Sequence, residues 1–145
     1  MPHRSVKAII EDQELIIAPG NATVASAAKL MKQAEVGAVM VVEDGKLVGI
    51  FTERDALFRV VAEGRDPQQT CLAEVMTREP RTIEAHQAFP EALNIMHGGG
   101  FRHVPVLEKG RPIGMLSARD ALGPELEDFI YEMLRQDQVN DVLPG

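Results

Sequence analysis

Two segments carry a hydroxyl and a carboxylate three residues apart: Thr52-Glu53-Arg54-Asp55 and Ser117-Ala118-Arg119-Asp120. That spacing admits two chemistries. In the first, the hydroxyl caps a helix and the acid returns to the cap residue's own amide, the reciprocal pair called a capping box. In the second, the acid projects from the helix start and accepts hydrogen bonds from the 2′- and 3′-hydroxyls of a ribose, while the hydroxyl and the unpaired amides face phosphate. A hydroxyl is able to serve both roles, so the spacing leaves the two readings open. Arg54 and Arg119 lie inside the two segments, and Arg102-His103 supplies two further cationic groups. On residue type alone Arg102 and His103 read as a solvated strand start.

Other reactive patterns lead nowhere. His97-Gly98-Gly99-Gly100 resembles the oxyanion segment of lipases, but the chain has no Gly-x-Ser-x-Gly nucleophile elbow. The glycines follow an apolar face ending at Met96 and therefore read as a helix stop. Cys71 is the single cysteine, with no activating neighbour, and reads as a small buried apolar residue. It permits neither an intramolecular disulfide nor a Cys-x-x-Cys site, and His3, His86, His97 and His103 show no metal-ligand spacing. No metal is expected, and no catalytic constellation is evident.

Composition narrows the setting. With 145 residues, 45% of them apolar, the chain suffices for one compact domain. A net charge of −7 and an isoelectric point near 5.1 argue against a nucleic-acid partner. Apolar runs such as Val36 to Val42 fall far short of the roughly 20 residues that span a membrane. No basic-then-apolar leader precedes Glu11. The expectation is a soluble protein of a reducing cytoplasm, with no membrane contact.

The elements that position these groups come from an internal repeat. Gly49-Ile-Phe-Thr-Glu-Arg-Asp-Ala-Leu57 returns 65 residues on as Gly114-Met-Leu-Ser-Ala-Arg-Asp-Ala-Leu122. The same offset aligns Leu30-Met31 with Ile95-Met96 and Gly45 with Gly110. Two halves follow, residues 5–64 and 70–122, joined by polar Arg65-Asp66-Pro67-Gln68-Gln69 and followed by a tail, residues 123–145. In each half, short extended pieces (Leu15 to Ala18, Arg81 to Ile83) precede a helix. Its apolar stripe is Val24, Ala27, Ala28 and Met31, or Phe89, Ala92, Leu93 and Met96. A hairpin turning at Asp44-Gly45 or Lys109-Gly110 comes next, then a second helix from Thr52 or Ser117. The order is β-α-β-β-α, twice.

This order, the Gly-x-x-Thr/Ser-x-x-Asp segment closing each half, and Arg102-His103-Val104-Pro105-Val106 on the second hairpin together resemble a CBS-motif pair, or Bateman module, over residues 5 to 122. The resemblance implies an α+β fold of two tandem repeats related by pseudo-two-fold symmetry, with a C-terminal helix from the tail. It implies composite sites, in which the acid of one half faces the strands of the other. One would join Thr52, Arg54 and Asp55 to Thr82, Ile83, Arg102, His103, Val104 and Pro105. The other would join Ser117, Arg119 and Asp120 to Ile17, Ala18, Gly37, Ala38 and Val39. Gly37-Ala38 stands where Arg102-His103 does, and Met40 replaces Pro105, so a phosphorylated ligand is expected to prefer the Asp55 site.

The implied function is that of a regulatory sensor and not of an enzyme. An adenine nucleotide (AMP, ADP or ATP, with NAD or S-adenosylmethionine as alternatives) would sit in the cleft between the motifs and be reported to an effector protein. The competing reading is a ligand-free structural or interaction protein of the same fold. Leu126, Phe129, Ile130, Met133 and Leu134 form one stripe of the tail, which either closes the module's own core or covers part of a homodimer interface.

Overall fold

The computed structural model describes residues 4–121 and 132–135, with the side chains of 120 and 121 excepted. The first half comprises α1 (Val6–Ile10), β1 (Ile17–Ala18), α2 (Val24–Ala34), β2 (Ala38–Glu43), β3 (Lys46–Thr52) and α3 (Glu53–Asp55), which runs on into a π-helical stretch, Ala56–Val61. The second comprises α4 (Leu72–Val75), β4 (Thr77–Arg78), β5 (Ile83–Glu84), α5 (Phe89–Gly99), β6 (His103–Glu108), β7 (Arg111–Ser117) and α6 (Ala118–Ala121). Residues 132–135 are helical and exposed. Leu126, Phe129 and Ile130 lie outside the described residues, as does most of the expected C-terminal helix.

The 65-residue offset holds in space down to single pairs. β1 lies parallel to β2 with Ala18 opposite Val41, and β5 lies parallel to β6 with Ile83 opposite Val106. Both hairpins pair Val41 with Gly49 and Val106 with Gly114, and both bulge at the next residue. Each two-residue turn needs positive φ at both positions: Asp44 and Gly45 adopt 51° and 77°, Lys109 and Gly110 53° and 78°. The first helix of each half ends on a left-handed residue, Glu35 or Gly100, so the glycine segment after Met96 is a helix stop as expected.

Two elements escaped the sequence reading. α1 and α4 precede the expected strands, and each packs into the opposite half's core. Val6 and Ile10 join Ile83, Phe89, Ala92, Met96, Val104, Val106 and Leu116. Leu72, Val75 and Met76 join Val24, Ala27, Met31, Val39, Val41 and Phe51. Backbone hydrogen bonds fix the exchange twice over. Val6 N–H donates to the Gln87 carbonyl and Leu72 N–H to that of Ala22, both at 2.9 Å. Phe89 N–H donates to Arg4 and Val24 N–H to Thr70, again at 2.9 Å. Cys71 is half-buried at the start of α4, where it was expected in the core. Its N–H donates to the Glu74 carboxylate at 2.7 Å, which together with Arg65 holds that acid below the usual carboxylate range.

Close approach of the exchanged segments accounts for the glycine that opens each repeated motif. A Cβ on Gly49 would lie 2.4 Å from Met76 Sδ, and one on Gly114 2.7 Å from Ile10 Cδ1. The two sheets differ at one edge. β4 pairs with β3, placing Thr77 opposite Ile50. In the second sheet the Gln13 side chain serves the equivalent residue, accepting from Met115 N–H at 3.2 Å and donating to its carbonyl at 2.9 Å.

Leu72 is fully buried in a core that its own repeat does not build. Leu72→Ala is therefore expected to cost about 2–5 kcal/mol. Urea unfolding followed by circular dichroism reads this, and a loss below 1 kcal/mol would contradict the exchange.

Candidate functional site

One cavity of about 840 Å³ lies between the halves, within the size range of small-molecule sites. From the first half come Gln13, Glu14, Ile16, Ala34, Glu35, Val36, Gly37, Ala38, Met40 and Glu53; from the second, Arg102, His103, Gly114, Met115, Ser117, Ala118 and Arg119. The fold sets this lining. β2 and β6 begin at the cavity wall, and each starting segment is tied to the closing helix of its own half. Glu53 N–H donates to the Gly37 carbonyl at 2.9 Å, and Ala118 N–H to that of Arg102 at 2.8 Å. Those first helical amides were expected to face phosphate; they are spent on the strand carbonyls.

Electrostatically the cavity is mixed. Glu14, Glu35 and Glu53 are exposed carboxylates, and Arg102 and Arg119 exposed guanidiniums. Among the described residues neither guanidinium is ion-paired. Ile16, Val36 and Met40 give an apolar wall, and the Ser117 hydroxyl stands at the end of β7 beside Arg119. Such a site offers apolar surface to a flat ring and guanidiniums to an anion.

The expected site residues separate into two sets. The cavity gathers Gly37, Ala38, Arg102, His103, Ser117 and Arg119. Asp120 belongs to α6, and its side chain lies outside the described residues. Ile17 is exposed on β1, and Ala18 and Val39 point into the first core; Ile83, Val104 and Pro105 are buried in the second half. Thr82 is half-buried, and Arg54 stacks over Phe58 with 5.3 Å to the ring centroid. None of these eight, from Ile17 to Arg54, lines the cavity.

Asp55 is the sharpest case. It is only 7% exposed, and both its oxygens are engaged. Thr52 N–H donates to Oδ2 at 3.1 Å, while Asp55 N–H donates to Thr52 Oγ1 at 3.1 Å, completing the capping box. The Thr77 hydroxyl donates to Oδ1 at 3.2 Å, and Arg59 Nε lies 3.5 Å from the same oxygen. In this half the hydroxyl–acid pair caps its helix and ties it to β4. Sequence reasoning missed Glu14, Ile16, Glu35, Val36 and Glu53, whose place on the wall no motif marked. Among the described residues no cluster of three or more His, Cys, Asp or Glu is placed to hold a metal, and no helix is long and apolar enough to cross a membrane.

Comparison with known proteins agrees with this architecture. The CBS domain family matches residues 6–62 and 72–124. The chain belongs to the CBS domain family. It is 39% identical over 107 residues to the CBS domain-containing protein CBSCBSPB1 of Arabidopsis thaliana, an alignment covering 72% of this chain and 20% of that protein. The chain thus spans about a fifth of the length of the Arabidopsis relatives it matches. A CBS-domain containing protein from Agrobacterium tumefaciens superimposes with a TM-score of 0.77 at 30% identity, over 84% of this chain and 99% of that one. A CBS domain protein from Pyrobaculum aerophilum, solved complexed with AMP, shares the fold at TM-score 0.74 and 24% identity, over 81% and 89% of the two chains.

Because the Asp55 carboxylate holds two helix–strand contacts, Asp55→Ala is expected to lower the unfolding free energy of the ligand-free protein by about 1.5–3 kcal/mol, the range for hydrogen bonds to a charged group. An unchanged denaturation midpoint would show that the carboxylate is not committed to the fold.

Proposed function

We propose that this CBS pair is a regulatory adenine-nucleotide-binding protein of the cytoplasm, without catalytic activity of its own, and that its ligand occupies the cavity between the halves. The observation that carries the reading is the pair of guanidiniums, Arg102 and Arg119, lining that cavity without an ion-pair partner among the described residues. They suit a phosphate, since an arginine fork binds phosphate oxygens through charge-assisted hydrogen bonds. Ile16, Val36 and Met40 offer the apolar surface that an adenine ring covers. The resemblance assigns ribose recognition to Asp120, with Ser117 and the Gly37-Ala38 strand start beside it. AMP bound to the Pyrobaculum relative is in keeping with this choice of ligand class, although that likeness extends to the fold alone. The order of sites expected from the repeat is reversed in this proposal: ligand goes to the Ser117 side, because the Asp55 carboxylate is already engaged.

Ligand that binds only the native state raises apparent stability by mass action, by about 2.7 kcal/mol at a hundredfold excess over Kd. AMP, ADP, ATP, NAD and S-adenosylmethionine are to be compared by thermal shift and the hits by calorimetry. Arg102→Ala and Arg119→Ala are each expected to weaken a phosphorylated ligand about tenfold and to leave adenosine less affected. If no adenine compound raises the melting temperature, the ligand-free interaction protein becomes the better account. The output passes to an effector protein, by a change of shape in the paired halves.

The same reading includes a homodimer. Leu57, Phe58 and Val61 stand 53%, 53% and 67% exposed on the π-helical stretch, more apolar surface than a lone amphipathic turn leaves in water. Sedimentation at micromolar concentration is expected to report a dimer that Phe58→Ser and Val61→Ser together convert to monomer; a monomeric parent protein would contradict it.

A further inference from the structure

Besides Gly37-Ala38 against Arg102-His103, the repeat breaks chemically at a second place on the cavity lining. Glu53 and Ala118 occupy equivalent places, each the first residue of its helix, with the same backbone bond to the strand start of its own half. Ala118 brings no charge. The Glu53 side chain instead reaches the wall at Gly37: a Cβ built there would lie 3.0 Å from Glu53 Oε1 and 3.2 Å from His103 Nε2. Carboxylate and imidazole therefore flank one point, at a residue with no side chain to separate them. Among the described residues no hydrogen bond or ion pair engages the Glu53 carboxylate. Its charge is thus unneutralised at the end of the cavity where the cationic strand start, Arg102-His103, lies.

We propose that Glu53 is a charge selector: it confines the phosphate subsite to a monophosphate and disfavours the added phosphates of a triphosphate. The inference rests on the reading of the cavity as a nucleotide site. Two guanidiniums match the charge of a single phosphate; Glu14 and Glu35 also line the cavity, but Glu53 is the carboxylate beside the cationic strand start, where it repels each further phosphate. Because Glu53 is exposed and touches neither core, removing its charge leaves the fold intact.

Calorimetric titration of AMP and ATP into the parent protein, Glu53→Gln and Glu63→Gln tests this. Glu63 is exposed and off the cavity, so its substitution changes net charge equally without touching the lining. In Glu53→Gln the affinity for ATP is expected to rise about tenfold and that for AMP less than threefold, and the difference between parent and variant is expected to shrink as salt screens the Glu53 charge in the parent. Equal gains for both nucleotides, no gain, or the same ratio change in Glu63→Gln would overturn the proposal. A parallel thermal-shift series with inorganic phosphate and tripolyphosphate separates it from the nucleotide reading. If no adenine nucleotide binds, that reading fails; tripolyphosphate stabilising Glu53→Gln more than the parent still upholds the selector, and equal stabilisation removes it.

Discussion

The exchange of leading segments between the two repeats is the constraint on which the rest of the molecule depends. Neither half completes a core from its own chain: α4 supplies Leu72, Val75 and Met76 to the first core, and α1 supplies Val6 and Ile10 to the second. Burying such side chains contributes roughly 1.5–3 kcal/mol apiece, and the paired bonds Val6–Gln87 and Leu72–Ala22 leave no freedom in where the segments lie. The halves therefore fold as one unit. The cavity inherits its shape from that coupling, because Gln13, Glu14 and Ile16 reach the second half's closing strand only when α1 has crossed over.

Crossing over also accounts for the opening glycine of each repeated motif, and for an economy at one sheet edge. Met76 and Ile10 rest where a side chain on Gly49 or Gly114 would stand. The first sheet then continues into β4, whereas the second stops and lets the Gln13 amide satisfy both backbone groups of Met115. A buried backbone donor or acceptor left unpaired is costly, so one side chain does the work of a strand. The same glutamine forms part of the cavity wall.

Much of this was legible in advance. The 65-residue offset located both hairpins, both turns and the site-facing strand starts, and the glycine run after Met96 marked one helix stop, because turn glycines and apolar periodicity are local signals. The exchange was not legible: α1 and α4 are too short for a periodic pattern, and their partners lie in the other half. That omission explains why the lining was only half foreseen. Gly37, Ala38, Arg102, His103, Ser117 and Arg119 were named from the resemblance to CBS pairs, while Glu14, Ile16, Val36 and Glu53 were marked by no motif. The hydroxyl–acid spacing had two readings, and at Thr52–Asp55 the capping box is the one whose geometry is on view.

A duplicated backbone does not require duplicated chemistry. The bonds that set the geometry, Glu53 to Gly37 and Ala118 to Arg102, run between main-chain atoms and are indifferent to the side chains they carry. Each half is thus free to spend equivalent residues differently. The first half commits Asp55 to Thr52, Thr77 and Arg59, and stabilises its helix at the cost of a free acceptor. The second presents Arg102 and His103 where the first has Gly37 and Ala38, so both halves' strand starts and the carboxylates of Glu14, Glu35 and Glu53 converge on a single cavity. Asymmetry of charge on a symmetric frame is what gives that cavity a direction: an apolar wall of Ile16, Val36 and Met40, and an anion-binding end whose capacity is set by how many carboxylates stand against two guanidiniums.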